Sequence, residues 1–278
     1  MEDFMKLKCF RKLTNRFLLC FCRKPLVAFL SSKEKNEVLD LIVVAFNNPQ
    51  LIAYQLDKIR RFVTGADYNY LVCDNSSDSK KSAEIFRFCR DNDVSYFRIP
   101  RFVYEDPSRS HGYALNWIYR YVISKRKNDF MLLDHDIFPV KPVDLSVYAK
   151  NYKLSGVVSH RNDLWYMWPG LSYYNYKYLS LYQIDFLPKK ANKVNLDTGG
   201  GNCLTVYQNF PIACLFEVNR EAVNFLTGEI ATADTSVQEV VEYFDDRKWL
   251  HIVGGSGWFG DSHKNQDIFL FLDKILSN

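Results

Sequence analysis

The sequence predicts an α/β protein with a mostly parallel central sheet flanked by helices. Over about 100 residues, apolar runs rich in β-branched side chains alternate with segments of helical periodicity. Polar turn-forming residues end each apolar run. This alternation, in units close to the ~30 residues of a strand–helix–strand repeat, is typical of a parallel sheet covered on both faces. With 278 residues and 47% hydrophobic side chains, the chain can form a sizeable core.

The elements follow one another in a regular order. Strands are predicted at 38–46, 68–74, 94–100, 130–136 and 154–161, and helices at 50–63, 80–92 and 113–125. The first strand, VLDLIVVAF, is apolar over most of its length, which is typical of a strand buried on both faces. The later aromatic-rich stretch at 163–179 is less periodic. No Gly/Ser linker separates the two halves, which favours one integrated domain.

Polar side chains stand at the carboxyl ends of three predicted strands. They are Asn47, Asp74 and the pair Asp134 and Asp136 of the stretch FMLLDHDIFP. Each of them alone could cap a helix or form a turn. In open parallel sheets, however, ligands bind outside the carboxyl ends of the strands. Three such ends at one edge therefore predict a ligand site.

The net charge of +4 is distributed unevenly. Residues 1–24 carry seven Lys and Arg against two acidic residues, whereas the rest of the chain carries 29 basic and 30 acidic side chains. A nucleic-acid-binding domain presents a basic face to the phosphate backbone, so the neutral body predicts no nucleic-acid partner.

The basic segment also contains two apolar runs, at 17–22 and 26–30. Each is much shorter than the ~20 residues of a membrane-spanning helix. One interpretation is a segment lying on an anionic membrane face through residues 1–30, with acylation of Cys20 or Cys22. The other is a helix packed on the body, or a frayed tail.

Seven cysteines form no CxxC pair and no regular framework. We expect reduced thiols in a cytoplasmic protein, located at the inner membrane face if the basic segment binds lipid.

Four of these stretches, in their order, resemble the GT-A-fold glycosyltransferases, in particular the family-2-like group. LIVVAFNNP is similar to that family's opening strand and loop, LVCDNSSDSK to its second strand, GYALNWIY to a helix with a small-residue/Asn motif, and FMLLDHDIFP to its D-x-D strand. The resemblance implies a Rossmann-like GT-A domain at 36–278, with a nucleotide-binding half at 36–140 and an acceptor and catalytic half at 141–278. Residues 1–35 would be a basic N-terminal extension.

The resemblance also implies a metal-dependent transfer from a nucleotide-diphosphate sugar to a glycan or lipid-linked acceptor, as in polysaccharide biosynthesis. Mn²⁺ or Mg²⁺ would neutralise the departing diphosphate. Asp136 would be the direct metal ligand, Asp134 would face the ribose or reach the metal through water, and Asp74 would accept a hydrogen bond from the nucleobase. Asn47 and Asn116 would complete the donor site.

A late histidine completes the metal site in several members of this family, and a loop after it closes over the phosphates. HIVGGSGW resembles this feature, with His251 as ligand and Gly255 and Trp258 in the donor-binding loop. His263 is an alternative ligand, and a hydrogen-bonded core histidine is the alternative role for His251.

An inverting enzyme needs a carboxylate to take the proton of the acceptor hydroxyl. We predict Asp197 in NLDTGGG, with Asp185 and Glu217 as alternatives, although Leu196 stands where the family has a second acidic residue. Asp197 could instead cap a turn or hold the donor sugar. Trp165 and Trp168, beside Pro169-Gly170, are predicted to stack on a sugar ring, the alternative being ordinary core packing.

Two other classes remain as alternatives to a glycosyltransferase. A sugar-phosphate nucleotidyltransferase would carry a Gly-rich, basic loop after the first strand, which FNNPQL is not. A non-catalytic nucleotide- or sugar-binding protein would tolerate loss of the Asp197 side chain. The absence of G-x-G-x-x-G after the first strand argues against hydride transfer on a Rossmann fold.

Overall fold

A computed structural model of the protein describes residues 2–103, 106–236, 239–253, 270–271 and 273. The helices are α1 (Glu2–Phe21), α2 (Pro49–Phe62), α3 (Ser79–Asp91), α4 (Pro107–Ile118), α5 (Ser124–Arg126), α6 (Ser146–Ala149) and α7 (Tyr176–Leu179). A π-helical segment (Tyr119–Ile123) joins α4 to α5, and 3₁₀ turns occur at Gly200–Asn202, Tyr207–Asn209 and Ile212–Cys214.

The strands of the first half are β1 (Val27–Phe29), β2 (Leu39–Ala45), β3 (Val63–Thr64), β4 (Tyr68–Asp74), β5 (Ser95–Arg98), β6 (Phe130–Asp134) and β7 (Ile137–Pro139). Those of the second half are β8 (Val143–Asp144), β9 (Leu154–Arg161), β10 (Leu164–Tyr174), β11 (Lys189–Ala191), β12 (Val194–Leu196), β13 (Leu215–Glu217), β14 (Arg220–Asn224), β15 (Val240–Phe244) and β16 (Trp249–Ile252).

The central sheet has eight strands in the order β1-β5-β4-β2-β6-β10-β9-β13. Strands β5, β4, β2 and β6 are parallel to one another, β1 and β10 are antiparallel to their neighbours, and β13 runs parallel to β9. The predicted fold class is confirmed: the protein is a mixed α/β structure with a large, mostly parallel central sheet flanked by helices.

Strand β2 lies in the middle of this sheet and is buried along its whole length. Its side chains alternate between two cores because successive residues of a strand point to opposite faces. Ile42 and Val44 pack in the cluster that includes α4, whereas Leu41 and Val43 pack in the cluster that includes α2 and α3. Helices therefore cover both faces, which explains the unbroken apolar run in the sequence.

The structure differs from the sequence-based elements at α4. The prediction began at 113, but the helix begins at Pro107. Asp106 caps it by accepting a hydrogen bond from the Arg109 N–H at 2.8 Å, and proline fits the first helical position because no N–H is needed there. The earlier start adds two turns to the helix, and His111 lies on them.

The stretch that showed little periodicity contains β10, the longest strand of the described residues. A register shift between Met167 and Ser172 interrupts its pairing with β9. This irregularity and the Pro169-Gly170 pair at it conceal the strand alternation in the sequence.

A second sheet has the order β14-β15-β16-β7 and begins directly after the D-x-D stretch. Strand β7 pairs antiparallel with β16, so that Ile137 lies opposite His251. This pairing brings a residue late in the chain to the end of β6.

Helix α1 packs on the body near α4, and β1 pairs with β5 at the edge of the central sheet. Residues 27–29, which the prediction assigned to the extension, are thus part of that sheet; the boundary of the extension stays a prediction. Among the described residues, we find no helix both long and apolar enough to cross a membrane.

Candidate functional site

The site lies where β6 ends and the chain turns into β7. Gln55 of α2 fixes this break, because its side-chain N–H donates hydrogen bonds to the carbonyls of Asp134 at 2.8 Å and Ile137 at 2.6 Å. The Tyr70 hydroxyl donates to the Gln55 Oε1 at 2.7 Å and holds the amide in this orientation. A fully buried glutamine therefore satisfies the backbone that the strand leaves unpaired.

Asp136, in the turn just before β7, faces His251 of the neighbouring strand β16. The His251 Nε2 lies 3.7 Å from the Asp136 Oδ1, and each side chain is about nine-tenths buried. The Ile252 N–H donates to the Asp136 carbonyl at 3.0 Å, which fixes the backbone of this pair. The structure thus brings together the two residues that the sequence predicted as metal ligands.

Glu242 of β15 orients the His251 ring. Its Oε2 lies 2.8 Å from the His251 Nδ1, so that the Nε2 is left facing Asp136. Burial alone would lower the pKa of His251, but the carboxylates of Asp136, Glu242 and Asp134 raise it above its ordinary value. Burial alone would raise the pKa of Glu242, but its hydrogen bond from His251 and the charges of His251 and Arg220 lower it.

Asp134 has a second histidine beside it. The His111 Nε2, on the early turns of α4, lies 3.5 Å from the Asp134 Oδ1, and both side chains are partly exposed. Burial raises the pKa of Asp134; His111 opposes this rise, and the like charge of Asp136 adds to it. His111 was not among the residues predicted from the sequence, although the Asp106-Pro107 start signal of α4 could have indicated its helix.

The middle residue of the triplet is turned away from this pair. The His135 ring is buried, and its Nδ1 lies 3.0 Å from the Val44 carbonyl of β2. Its buried Nε2 has no hydrogen-bond partner among the described residues. His135 therefore anchors the turn to the neighbouring strand rather than joining Asp134 and Asp136.

The donor atoms of Asp136 and His251 suit a divalent cation. Ligand atoms about 2.1 Å from one ion lie on the order of 3–4 Å apart, which the Nε2–Oδ1 distance matches. The described residues contain no group of three or more His, Cys, Asp or Glu side chains arranged to hold a metal. Two protein ligands fit an ion that also takes phosphate oxygens and water, as Mg²⁺ and Mn²⁺ do.

Asp74, predicted to contact the nucleobase, is fully buried at the end of β4. Its carboxylate accepts hydrogen bonds from the Ser76 N–H at 2.8 Å, the Ser82 hydroxyl at 2.5 Å and the Tyr96 hydroxyl at 2.6 Å, and pairs with Arg98 at 2.8 Å. In this conformation both carboxylate oxygens already bond to groups of the protein itself. A contact with a nucleobase stays a prediction, and it would require some of these partners to move.

Asn47 joins two of the strand-end loops. Its backbone is left-handed, with φ of 51°, and its N–H donates to the Ser76 hydroxyl at 2.7 Å. Its side chain donates to the Ser77 hydroxyl at 2.8 Å and accepts from the Asp78 N–H at 2.9 Å. Asn47 thus shapes the edge above β2 and β4, and a donor contact stays a prediction.

Asn116 and Asp185 are engaged with each other. The Asn116 amide donates to the Asp185 Oδ1 at 2.8 Å and accepts from the Phe186 N–H at 2.7 Å. The same Asp185 oxygen accepts from the Leu187 N–H at 3.0 Å. The pair ties α4 to the segment before β11, so a role for Asn116 in donor binding stays a prediction.

Asp197 lines a cavity of about 380 Å³ between the first turn of α4 and the β11–β12 hairpin. Lys189, Lys190 and Arg109 also line it. The exposed Asp197 side chain accepts a hydrogen bond from the Thr198 N–H at 2.7 Å, and the Thr198 hydroxyl donates to the Ser108 carbonyl at 3.0 Å. These contacts join the Asp197 loop to the first turn of α4 at Ser108, three residues before His111 in the chain.

Glu217, the other alternative for the base, lies elsewhere. It is an exposed residue of β13 at the edge of the central sheet, and its carboxylate contacts His160 at 3.2 Å.

The two predicted platform residues lie in different surroundings. The Trp168 ring is half-buried, and its centroid lies 5.0 Å from that of His251. Trp165 stacks on Tyr207, with centroids 5.0 Å apart, and packs against the core cluster of α4. The Trp168 ring thus lies beside His251 of the predicted ligand pair, whereas Trp165 makes a packing contact. Gly255, Trp258 and His263 lie outside the described residues.

No protein-family model matches this chain, and no curated protein is similar to it in sequence. Solved structures similar to it include the mannosyltransferase PcManGT from Pyrobaculum calidifontis in complex with GDP-Man and Mn²⁺. That match has a TM-score of 0.37 and 14% identity, and covers 62% of this chain and 53% of that one.

Two further solved structures are similar to the chain. The bifunctional glycosyltransferase WbbM has a TM-score of 0.36 and 11% identity over 53% of this chain and 33% of that one. The mannosyltransferase Ktr4p from S. cerevisiae in complex with GDP has a TM-score of 0.35 and 12% identity, over 63% of this chain and 67% of that one. This chain thus spans about half the length of the first structure and a third of the second. By their descriptions, the three solved structures are two mannosyltransferases and a bifunctional glycosyltransferase.

Proposed function

We propose that this protein is a metal-dependent glycosyltransferase that moves a sugar from a nucleotide-diphosphate sugar to a glycan or lipid-linked acceptor. The observation that carries the proposal is the pair formed by Asp136 and His251 at the strand break, 3.7 Å apart and beside Asp134. A buried carboxylate and an imidazole aimed at each other would supply two protein ligands to a divalent cation, and phosphate oxygens and water would fill its other positions.

In this proposal, Asp136 and His251 would hold Mn²⁺ or Mg²⁺ in the donor site. The cation, when bound, neutralises the charge that develops on the departing nucleoside diphosphate. Glu242 keeps the His251 Nε2 directed at the site through its 2.8 Å contact with Nδ1. Asp134 would bind the ribose or reach the metal through water, and His111, 3.5 Å away, would keep that carboxylate in place.

The acceptor binds in the cavity that Asp197 lines. An exposed carboxylate held through the Thr198 N–H can take the proton of an acceptor hydroxyl as that oxygen attacks the anomeric carbon. One such displacement inverts the configuration at that carbon. Trp168, whose ring lies 5.0 Å from the His251 ring, provides an apolar face for a sugar ring beside the metal site.

The proposal also includes the cellular setting that the sequence predicts. A lipid-linked acceptor of polysaccharide biosynthesis would be met at the inner membrane face, by a cytoplasmic enzyme in contact with that surface. The basic character of residues 1–24 supports this placement.

The first experiment is a calorimetric titration of UDP, GDP, CDP and ADP, each with and without Mn²⁺. We expect wild type to bind one of them in a manganese-dependent way, and Asp136→Ala to lose that binding. Asp91→Ala is the matched control, because Asp91 belongs to the second D-x-D triplet and is paired only with exposed Arg90 in the described contacts. Absence of binding to folded wild type, or equal binding to Asp136→Ala, would refute the proposal.

A second experiment tests the base. We expect Asp197→Asn to bind the nucleotide as wild type does, but to lose hydrolysis or transfer of the donor sugar by at least 100-fold, a loss typical of a general base. The anomeric configuration of the first-formed product, followed by NMR, tests inversion. Unchanged turnover of Asp197→Asn would remove this residue from the mechanism, and an absence of turnover in wild type would favour a non-catalytic binding protein.

A further inference from the structure

We propose that the outward face of α1 docks this protein onto an anionic lipid surface. The face consists of Phe10, Leu13, Phe17 and Phe21 and is called the outward stripe below. It assigns particular residues to the membrane contact included in the proposed function, but the docking itself does not depend on sugar transfer.

The inner face of α1 is fixed to the body by specific contacts. Asn15 is fully buried, and its side chain accepts from the Val103 N–H at 2.6 Å and donates to the Val103 carbonyl at 2.9 Å. Further along, the Tyr121 hydroxyl donates to the Leu19 carbonyl at 2.8 Å. These bonds determine how the helix is rotated and therefore which side chains point outward.

The outward stripe is apolar and exposed. Its four side chains have exposed fractions of 64%, 60%, 57% and 66% in chain order. At ~100° per residue, they fall within an arc of about 80° on one side of the helix. The rings of Phe17 and Phe21 stack at 4.6 Å, which makes one continuous apolar surface.

This exposure is concentrated in one part of the chain. Of the 14 large hydrophobic side chains that are exposed among the described residues, seven lie between residues 10 and 30. Besides the stripe they are Leu26, Val27 and Leu30. Single exposed apolar residues are ordinary, whereas a concentrated patch of them indicates an interaction surface.

The charge around the stripe indicates which surface binds it. Residues 4–33 contain eight Lys and Arg and no acidic residue. Arg16, Arg23 and Lys24 are exposed beside or just after the stripe. A second copy of this chain would bring the same positive charge to the contact and would be repelled. An anionic lipid surface attracts the cations and accepts the aromatic side chains at the level of its headgroups.

The experiment is co-sedimentation of the full chain with vesicles of phosphatidylcholine alone or with phosphatidylglycerol added. The test variant is Phe17→Gln/Phe21→Gln, and the matched control is Leu181→Gln/Leu226→Gln, because Leu181 and Leu226 are also exposed, at 76% and 65%. We expect wild type and control to bind the anionic vesicles, the stripe variant to bind at least tenfold more weakly, and 0.5 M salt to weaken all binding. Near-UV circular dichroism checks that both variants keep the native fold.

Three results would overturn the docking proposal: no binding of wild type to anionic vesicles, equal binding of the stripe variant and wild type, or a concentration-dependent dimer that the stripe variant loses. The last would assign the stripe to a second copy. Nucleotide titration in the absence of vesicles reports on the donor site independently, so failure of the docking and failure of the transferase proposal are distinguishable.

Discussion

Asp74 and Asp136 are both buried carboxylates at the carboxyl edge of the central sheet, yet their surroundings differ. The protein surrounds Asp74 with an arginine, two hydroxyls and a backbone N–H, all within 2.8 Å. Asp136 has His251 at 3.7 Å and a second carboxylate two residues before it in the chain.

This difference is the one expected between a structural carboxylate, Asp74, and the ligand-binding carboxylate that we propose at Asp136. Burial of a charge is unfavourable unless partners compensate it, and at Asp74 the fold supplies all of them. At Asp136 the neighbouring Asp134 adds negative charge, and among the described residues His251 beside Asp136 and His111 beside Asp134 oppose it. A bound cation would compensate the remaining negative charge at Asp136. At Asp74 the protein's own groups already compensate the carboxylate.

The largest effect expected from this comparison is on stability. Asp74→Asn should lower the free energy of unfolding by about 3–5 kcal/mol, because Arg98 would remain largely buried without its counter-charge. Asp136→Asn should change it by less than ~1 kcal/mol or raise it, because the substitution removes a charge beside Asp134. Chemical denaturation of both variants without added metal measures the difference. Equal destabilisation by the two substitutions would show that Asp136 is also structural.

The next effect concerns the residue that orients His251. Glu242→Gln should weaken manganese-dependent nucleotide binding by about 10–100-fold, as substitutions of residues that orient metal ligands do. Glutamine cannot present two carboxylate oxygens to His251 and Arg220 at once, so the imidazole loses its fixed orientation. Calorimetry at several Mn²⁺ concentrations gives the affinity.

Glu221→Gln is the control for this measurement. Glu221 lies on the neighbouring strand β14 and pairs with Arg247 on the surface, away from His251. We expect it to bind metal and nucleotide as wild type does. If Glu242→Gln also behaved as wild type, Glu242 would be only a packing partner of His251.

The sequence predicted the first half of the fold well because buried parallel strands leave a strong local signal. Strand β4 spans Tyr68–Asp74, the range that was predicted, and β6 begins at the predicted residue and ends two residues earlier, at Asp134. The apolar–polar alternation that predicts strands fails at β10, where a register shift interrupts the pairing with β9. It also failed for the start of α4, although the Asp106-Pro107 signal was present.

The candidate site was predictable only in part. Asp136 and His251 were proposed from the resemblance, and the pairing of β7 with β16 brings them together. His111 was missed because its role depends on a contact with Asp134 on another element, which local patterns do not record. Glu242 was missed because its contact with His251 depends on the register in which β15 pairs with β16. The different fates of Asp74 and Asp136 have the same origin, since Ser82, Tyr96 and Arg98 come from other elements than β4.

The smallest expected effect concerns Trp168 and the glycine beside it. A Cβ on Gly170 would lie 2.3 Å from the Trp168 ring, so Gly170→Ala must push the ring away. Because Trp168 packs at 5.0 Å from His251, the displacement should disturb the wall of the site at a cost of about 1 kcal/mol. We expect nucleotide-sugar affinity to fall by less than about tenfold, with a change in tryptophan fluorescence.

In a Trp168→Phe background the smaller ring leaves room for the methyl group, and Gly170→Ala should then have little further effect. An equal loss of affinity in both backgrounds would mean that the backbone at residue 170, rather than the indole, transmits the change to His251.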